Sequence, residues 1–418
     1  MRLTIHRGAH EIGGTCIELA TDTTKILLDA GLPLSPDSAT LDVSAINADA
    51  VLISHPHQDH YGLIESLPAD MPVYIGKLAK NLLDATCIFR DVPLRGNNFK
   101  YYDKWQQFSI GDFKITPYLV DHSAVDAYAF LVEADGKRVF YSGDFRGHGN
   151  KGILFKNMLK RPPENIDLLL MEGTMLQRDN SDFPEERDVK AKIEEIVSKQ
   201  ENMSFIISSS QNIDRLVSAY NACAAAGKIF VIDFYTAWVL EQVKAVSNGI
   251  KSMDWQHIAV YSSGRSSGWF YDKMQKNRRI LGSFINQVFK HTIKDEVLRA
   301  NPAHYLFLGK MGCHRMIDSF KSDKPITLIY SQWLGYLKDE TGEDKGAAKI
   351  DGYRNGSTPG VEFIYAHTSG HAPVADLQAF ANALKPKVLV PIHTEFGYLY
   401  EKLFDNVLRV EDGEIVKL

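Results

Sequence analysis

Residues 49–62 read DAVLISHPHQDHYG, an apolar run that breaks into three histidines and an aspartate within six positions. The run Ala50–Ile53 has the length and aliphatic character of a buried strand, and the polar residues begin where it ends. The H-x-H-x-D-H spacing has a chemical reading. In an extended loop the side chains at i and i+2 lie on one side, so His55 and His57 can share one metal ion. Asp59 and His60 come after a turn and can face a second ion beside the first. Imidazole and carboxylate without thiolate suit zinc or a similar divalent transition metal.

A closed two-ion site needs further ligands, and three candidates stand at the ends of predicted strands: His122 after ITPYLVD, Asp144 in VFYSGD and His393 in VLVPIH. Strand ends that converge on one edge can hold ligands to a fraction of an ångström. Any one of them alone reads as readily as a cap or a turn residue. Combined with the first motif they read as a metal site.

The rest of the chain narrows the class of protein. Its 418 residues are 44% hydrophobic and 24% charged, which excludes collagen-like and low-complexity readings. A net charge of −5 provides no global basic field, so any site for a polyanion must be local. The four cysteines, Cys16, Cys87, Cys223 and Cys313, form no CxxC pair, against both a disulfide framework and a thiolate zinc site. With no signal-like N-terminus and no apolar stretch near 20 residues, the expectation is a cytoplasmic protein with no membrane partner.

Up to about residue 175 the chain reads as short strands such as KILLD, AVLIS, YAFLV and IDLLLM, punctuated by Gly, Pro, Asn and Asp. From about Pro184 helices alternate with strands such as MSFIISS, KIFVIDF and ITLIYS, the rhythm of a parallel α/β sheet. After about Gly360 the β-rich style returns with EFIYA, KVLVPI, NVLRV and EIVKL, and Asp339 to Gly360 reads as a connecting loop. One domain interrupted by another is the simplest organisation.

SHPHQDHYG, VDHS, YSGDFR and PIHTE resemble, in order, the ligand motifs of the metallo-β-lactamase fold. MEGT (Met171 to Thr174), HTSGHA (His367 to Ala372) and the α/β insertion resemble the β-CASP nucleases, especially the ribonuclease J and cleavage-factor-like branch. The resemblance implies an αβ/βα four-layer sandwich from residues 1–175 and 360–418, with 176–359 as an inserted parallel α/β domain. It implies one zinc on His55, His57 and His122, a second on Asp59, His60 and His393, and Asp144 as the bridge, with Mn²⁺ as the alternative metal. Asp29 of LLDAG and Glu172 of MEGT would support the ligands from behind. His371 matches a histidine near the scissile phosphate, a candidate general acid that would act with Asp59 and Glu172 in catalysis. His367 and Ser369 match residues that contact substrate phosphate.

The activity so implied is hydrolysis of phosphodiester bonds in single-stranded RNA by a di-zinc-activated hydroxide, leaving 5′-phosphate and 3′-hydroxyl ends. His393 falls with the RNA-processing branch, since the DNA-processing branch often has an aliphatic residue there. Two further stretches bear on substrate. SSSQNIDRL places Ser209, Asn212 and Arg215 where a helix begins, which suits phosphate and equally suits a plain helix cap. The stretch with Lys273, Lys276, Arg278, Arg279, Lys290, Lys294 and Arg299, interleaved with Trp269, Phe270, Tyr271, Phe284 and Phe289, suits single-stranded RNA or a solvated helix face. Lys151, Lys156, Lys160 and Arg161 would form another rim with Arg146.

Departures from the family pattern bear on substrate, on exonuclease against endonuclease action, and on assembly as a homodimer or with a processing-complex partner. The family's glycine-rich segment is poorly matched near ITLIYSQWLGYL, MEGT has glycine where serine is common, and the chain ends 25 residues after His393. Three other functions remain open: a hydrolase of a small ester, lactone or phosphodiester, a DNA nuclease, and a non-catalytic RNA-binding scaffold subunit.

Overall fold

The computed structural model describes the chain except residues 36–37, 93–97, 180, 248–254, 263 and 339–343 and the side chains of 246 and 264–267. Strands β1 (Arg2–Arg7), β2 (Cys16–Ala20), β3 (Lys25–Leu28), β4 (Ala50–Leu52), β5 (Val73–Gly76) and β6 (Phe99–Tyr102) lie side by side in chain order. Pairing is antiparallel from β1 to β3 and parallel from β3 to β6. A second sheet holds β7 (Phe108–Ile110), β8 (Phe113–Leu119), β9 (Tyr128–Ala134), β10 (Lys137–Tyr141) and β11 (Leu168–Glu172). A third holds β12 (Ser204–Ile207), β13 (Ile229–Ile232), β14 (Ile258–Tyr261), β15 (Thr292–Ile293), β16 (Tyr305–Gly309), β17 (Ile326–Tyr330) and β18 (Val361–Tyr365). β19 (Val388–Ile392) joins the second sheet in parallel beside β11, and β20 (Ile415–Lys417) pairs antiparallel with β1.

The first two sheets pack face to face. Leu3, Ile5, Ile17, Leu19, Ile26 and Leu28 meet Phe113, Phe130, Val132, Leu168, Leu170 and Ile392 in one core. β11, LLLME, is buried along its whole length because it is covered on both faces. Leu168 and Leu170 enter the core between the sheets. Leu169 and Met171 enter a second core with Phe155 and Met158 of helix Ile153–Lys160 and Leu377 and Phe380 of helix Val374–Leu384. Leu27, Val51 and Ile53 alternate with the first sheet's inward residues and are fully buried too, so that sheet is covered on its other side. The β9–β10 hairpin turns through Asp135 and Gly136, both at positive φ, as a two-residue turn between twisted strands requires.

In the third sheet every pairing is parallel, in the order β15-β14-β13-β16-β12-β17-β18. Its helices begin on local caps. Glu185 and Asp188 form a reciprocal capping box at Glu186–Lys199, and Asn212 and Asp233 accept from Arg215 N and Thr236 N to start the next two. Each such cap is worth about 1 kcal/mol.

Two compact units result: Met1–Leu83, Leu94–Asp179 and Ser369–Leu418 in one, Asp84–Pro93 and Asn180–Thr368 in the other. This corrects the expected boundary at 359/360. EFIYA pairs with β17 in the third sheet, Ile326 opposite Val361, and so belongs to the inserted unit. Asp84–Pro93 also groups with it, where the Phe89 ring packs at a tilt against Tyr235 and Phe270. NVLRV forms only an isolated bridge at Val407, not a strand. Of the expected loop from Asp339, residues 339–343 lie outside the described chain. Lys345–Arg354 is a helix whose first turn is capped by Asp344. Among the described residues no helix is long and apolar enough to cross a membrane.

Candidate metal centre

Every ligand candidate follows the carboxyl end of a strand. Asp29 comes after β3, His55 to His60 after β4, His122 after β8, Asp144 after β10 and His393 after β19, and Glu172 closes β11. The loop after β4 turns at once into the single helical turn Gln58–Tyr61, with His57 at its N-cap. Gly31 lets the neighbouring chain pass, since a Cβ there would stand 1.7 Å from the Asp59 carbonyl oxygen. Two site residues hold strained left-handed backbone, Asp29 at φ 62° and His393 at φ 50°.

The seven sequence-predicted ligands lie in one cluster. His55 Nε2 and His122 Nε2 stand 3.1 and 3.2 Å from His57 Nδ1. Zinc–nitrogen bonds of about 2.0–2.1 Å place two ligand atoms on a tetrahedral ion roughly 3.3 Å apart, so this trio has the spacing of a metal face. Asp59 Oδ2 lies 3.8 Å from His60 Nε2 and 3.7 Å from His393 Nε2, a second trio. Asp144 Oδ2 stands 3.6 Å from His55 Nε2 and 3.1 and 3.8 Å from His60 and His393, facing both sets.

Hydrogen bonds behind the cluster choose which nitrogen each ring offers. His60 Nδ1 donates to Asp29 Oδ2 at 2.7 Å and His122 Nδ1 to the Gly370 carbonyl at 2.6 Å. His55 Nδ1 lies 3.0 Å from Ser54 Oγ, and His393 Nδ1 accepts from Gly13 N at 3.3 Å and lies 2.8 Å from Thr15 Oγ1. In all four rings Nε2 faces the cluster, whereas His57 turns Nδ1 toward it. Asp29 also accepts from Ser54 N, Ser54 Oγ and the Tyr141 hydroxyl, so its carboxylate is fixed on all sides.

Three buried atoms, His60 Nε2, His393 Nε2 and Asp144 Oδ1, have no hydrogen-bond partner. Buried polar atoms are rarely left so, and a divalent cation between the trios would satisfy them. The protonation tendencies agree. Burial, reinforced by neighbouring imidazoles, holds His55 and His122 well below the ordinary histidine value, and His57 is down at about 4. Neutral rings keep the lone pair that a metal needs. Burial would raise Asp144, but His393, His60 and His371 outweigh it and keep it well below the usual carboxylate range.

Glu172 is fully buried and receives N–H bonds from Thr174 at 3.0 Å and from Phe145 and Ala372 at about their limit. Its Oε1 stands 3.3 Å from His371 Nδ1. The His371 ring lies 5.2 Å from that of His122 and 5.8 Å from that of His393, beside both trios. Burial opposes its charged form, yet Glu172 and Asp144 outweigh burial and raise it above the ordinary histidine value.

Other sequence-predicted residues are placed differently. Ser369 shares the metal-bearing unit, and its Oγ accepts from His371 N at 3.1 Å. His367, Ser209, Asn212 and Arg215 belong to the inserted unit. There Ser209 is exposed, Asn212 is the helix cap and His367 Nδ1 donates to the Ser331 carbonyl. Arg215 is corrected from an open phosphate contact to a buried strut. It is fully buried, pairs with Glu186 at 2.8 and 3.1 Å and donates to the Ser331 carbonyl. Arg146 is likewise fully buried and cannot join a basic rim with the exposed Lys156, Lys160 and Arg161. In the basic stretch Lys273 is buried against Asp91 and Phe284 is core, leaving Trp269 and Tyr271 exposed with Lys276, Arg278, Arg279, Lys290, Lys294 and Arg299. Ser54, Thr15 and Tyr141 escaped the sequence reading. Ser54 adjoins the motif and could have been found there, but Thr15 and Tyr141 sit on other strands with no local mark.

Comparison with known proteins fits this geometry. Residues 24–205 match the beta-lactamase superfamily domain, and residues 363–404 match the Zn-dependent metallo-hydrolase RNA specificity domain. "Probable RNase MJ4" of Methanocaldococcus jannaschii is 29% identical over 231 residues, 47% of this chain and 51% of that one. Ribonuclease J of Sinorhizobium meliloti is 23% identical over 407 residues, 92% of this chain and 65% of that one. The chain thus spans between half and two thirds of the length of these two relatives. The crystal structure of a protein of unknown function from Enterococcus faecalis V583 superposes with a TM-score of 0.75 at 20% identity, covering 100% of this chain and 99% of that one. The chain is thus similar to metallo-β-lactamase-fold proteins, and to ribonuclease J-like ones in particular.

Proposed function

We propose that the protein is a metal-dependent nuclease that hydrolyses single-stranded RNA with two zinc ions, leaving 5′-phosphate and 3′-hydroxyl ends. The observation that carries this reading is the pair of trios facing one shared carboxylate, Asp144, with His371 beside both. Names among the relatives favour RNA as the substrate over DNA or a small ester. RNA processing of this kind suits a cytoplasmic protein.

His55, His57 and His122 would hold one ion, Asp59, His60 and His393 the other, and Asp144 both. Bound there, the ions supply Lewis acidity toward the phosphate and a water activated for attack on phosphorus. The chain's own residues do the rest. Asp29 fixes the His60 ring, Thr15 stands behind the His393 ring, and Glu172 holds His371 at Nδ1. Raised above its ordinary value by Glu172 and Asp144, His371 holds a proton more firmly than a free histidine and can give it to the leaving oxygen, a poor leaving group without it.

The test is cleavage of one sequence prepared as end-labelled single-stranded RNA and DNA, with Zn²⁺ or Mn²⁺ and a His60→Ala control. The expected result is metal-dependent cutting of RNA alone, lost in the control, with a ladder that separates end-trimming from internal cuts. Intact RNA with a protein that holds two zincs would sink the nuclease reading.

A further inference from the structure

We propose that Arg146 and His148 are positioning residues whose side chains clamp the Ser369 carbonyl and thereby set His371 for proton transfer, an inference that rests on the nuclease reading above. Arg146 Nη1 donates to Ser369 O at 2.7 Å, and His148 Nε2 donates to the same oxygen at 3.0 Å. Two donors occupy both lone pairs of one carbonyl and fix its direction as well as its position. That carbonyl lies two residues before His371.

The clamp is anchored on the metal loops. Arg146 follows the ligand Asp144 by two positions, and its backbone N–H donates to the carbonyl of Asp121 at 2.7 Å. Asp121 is fully buried, adjoins the ligand His122, stands 3.6 Å from Arg146 Nε and accepts from Gly149 N at 2.8 Å. On the other side, Asp376 accepts from Gly147 N at 3.0 Å and lies 3.8 Å from His148 Nδ1. The next carbonyl, of Gly370, receives His122 Nδ1, and the Ala372 N–H reaches Glu172. Each residue from 369 to 372 is therefore tied to a ligand, to the loop of a ligand or to Glu172. The buried Asp121 carboxylate supplies the counter-charge of the buried guanidinium, so the clamp ties Ser369 to the loop that follows Asp144 and to the one that carries His122.

Two substrates separate proton delivery from metal support: RNA, whose leaving oxygen needs a proton, and bis(4-nitrophenyl) phosphate, whose phenolate leaves without one. Arg146→Met is expected to lower kcat on RNA by about 10- to 100-fold, with KM and bound metal unchanged and the nitrophenyl ester cut at close to the wild-type rate. Arg146→Lys should restore part of the loss, and His148→Ala, which removes the second donor, should lose less. If Arg146→Met does not fold, His148→Ala alone must show the same split between substrates. Equal loss on both substrates, loss of metal, or no loss at all overturns the clamp. A wild type that leaves RNA intact overturns the nuclease reading instead, and the clamp's role with it.

Discussion

Buried charge behaves differently in the two units of this chain. In the inserted unit it closes on itself. The Arg215 guanidinium meets both oxygens of Glu186, which also accepts from Ser218 at 3.0 Å, and its remaining N–H groups reach the Ser331 and Thr368 carbonyls. Among the described residues, buried atoms without a partner in that unit include Gln200 Oε1 and Ser204 Oγ of neutral groups and one imidazole nitrogen, His314 Nδ1, which joins no cluster of ligand atoms. In the other unit ionisable atoms converge in one cluster, where His60 Nε2, His393 Nε2 and Asp144 Oδ1 are buried without a satisfied hydrogen bond and Asp144 Oδ2 lies 3.1 Å from His60 Nε2. A buried salt bridge satisfied from within the chain needs no ligand, whereas a converging set of unsatisfied donor atoms is built for something the chain does not encode.

The comparison can be broken most directly at His60. Substituting it with alanine should remove at least one bound ion and lower RNA cleavage by more than about 100-fold. Metal counted by elemental mass spectrometry reads the first effect, and an unchanged count would mean that the open cluster is not a metal site. Next is the closed pair. Glu186→Ala leaves Arg215 buried without its counter-charge and should cost about 3–5 kcal/mol of stability in urea unfolding, with bound metal unchanged. Replacing both partners, Glu186→Leu with Arg215→Met, should recover most of that loss.

A smaller effect separates the units by pH. His55, His57, His122 and His393 are held below the ordinary histidine value, chiefly by burial. A group depressed in the folded state adds stability that is complete above its unfolded value, about 6.5, and is lost as the pH falls toward the folded one, about 4 for His57. His60 and His371 are raised and act with the opposite sign, their contribution fading as pH rises through their folded values. If the depressed rings dominate, the chelator-treated protein should melt lower at about pH 5 than at about pH 7, with His60 and His371 opposing the change. A flat profile would show that the cluster is not neutral without metal. The smallest effect concerns the exposed basic stretch. Replacing Lys276, Arg278 and Arg279 with alanine should leave kcat alone and reduce the salt dependence of RNA affinity by about 0.7 in log–log slope for each phosphate that the side chains no longer neutralise. An unchanged slope would make the stretch a solvated helix face.

The candidate ligands were legible because ligand chemistry is written in short spacings and strand ends. The order His55, His57, Asp59, His60 appears in one loop, and His122, Asp144 and His393 each follow an apolar strand. Three of the readings that failed depended on distant partners. Arg215 near a helix start looks like an anion contact until Glu186, 29 residues earlier, is seen beside it. EFIYA reads as a strand either way, and only its pairing with β17 assigns it to the inserted sheet. Arg146 sits in a glycine-rich loop that looks exposed, yet its partner carbonyl is 223 residues away.

Residue types and their order therefore pointed to the fold, to two β-rich segments around an α/β insertion, and to a set of candidate ligands that the structure brings together. They could do so because strand period and ligand spacing are local properties of the chain. Tertiary structure decided the rest: which nitrogen each histidine offers, which sheet takes β18, and which charges are spent inside the protein. Those choices turn on hydrogen-bond partners brought together from remote positions, and such a partner leaves no trace in the residues beside it.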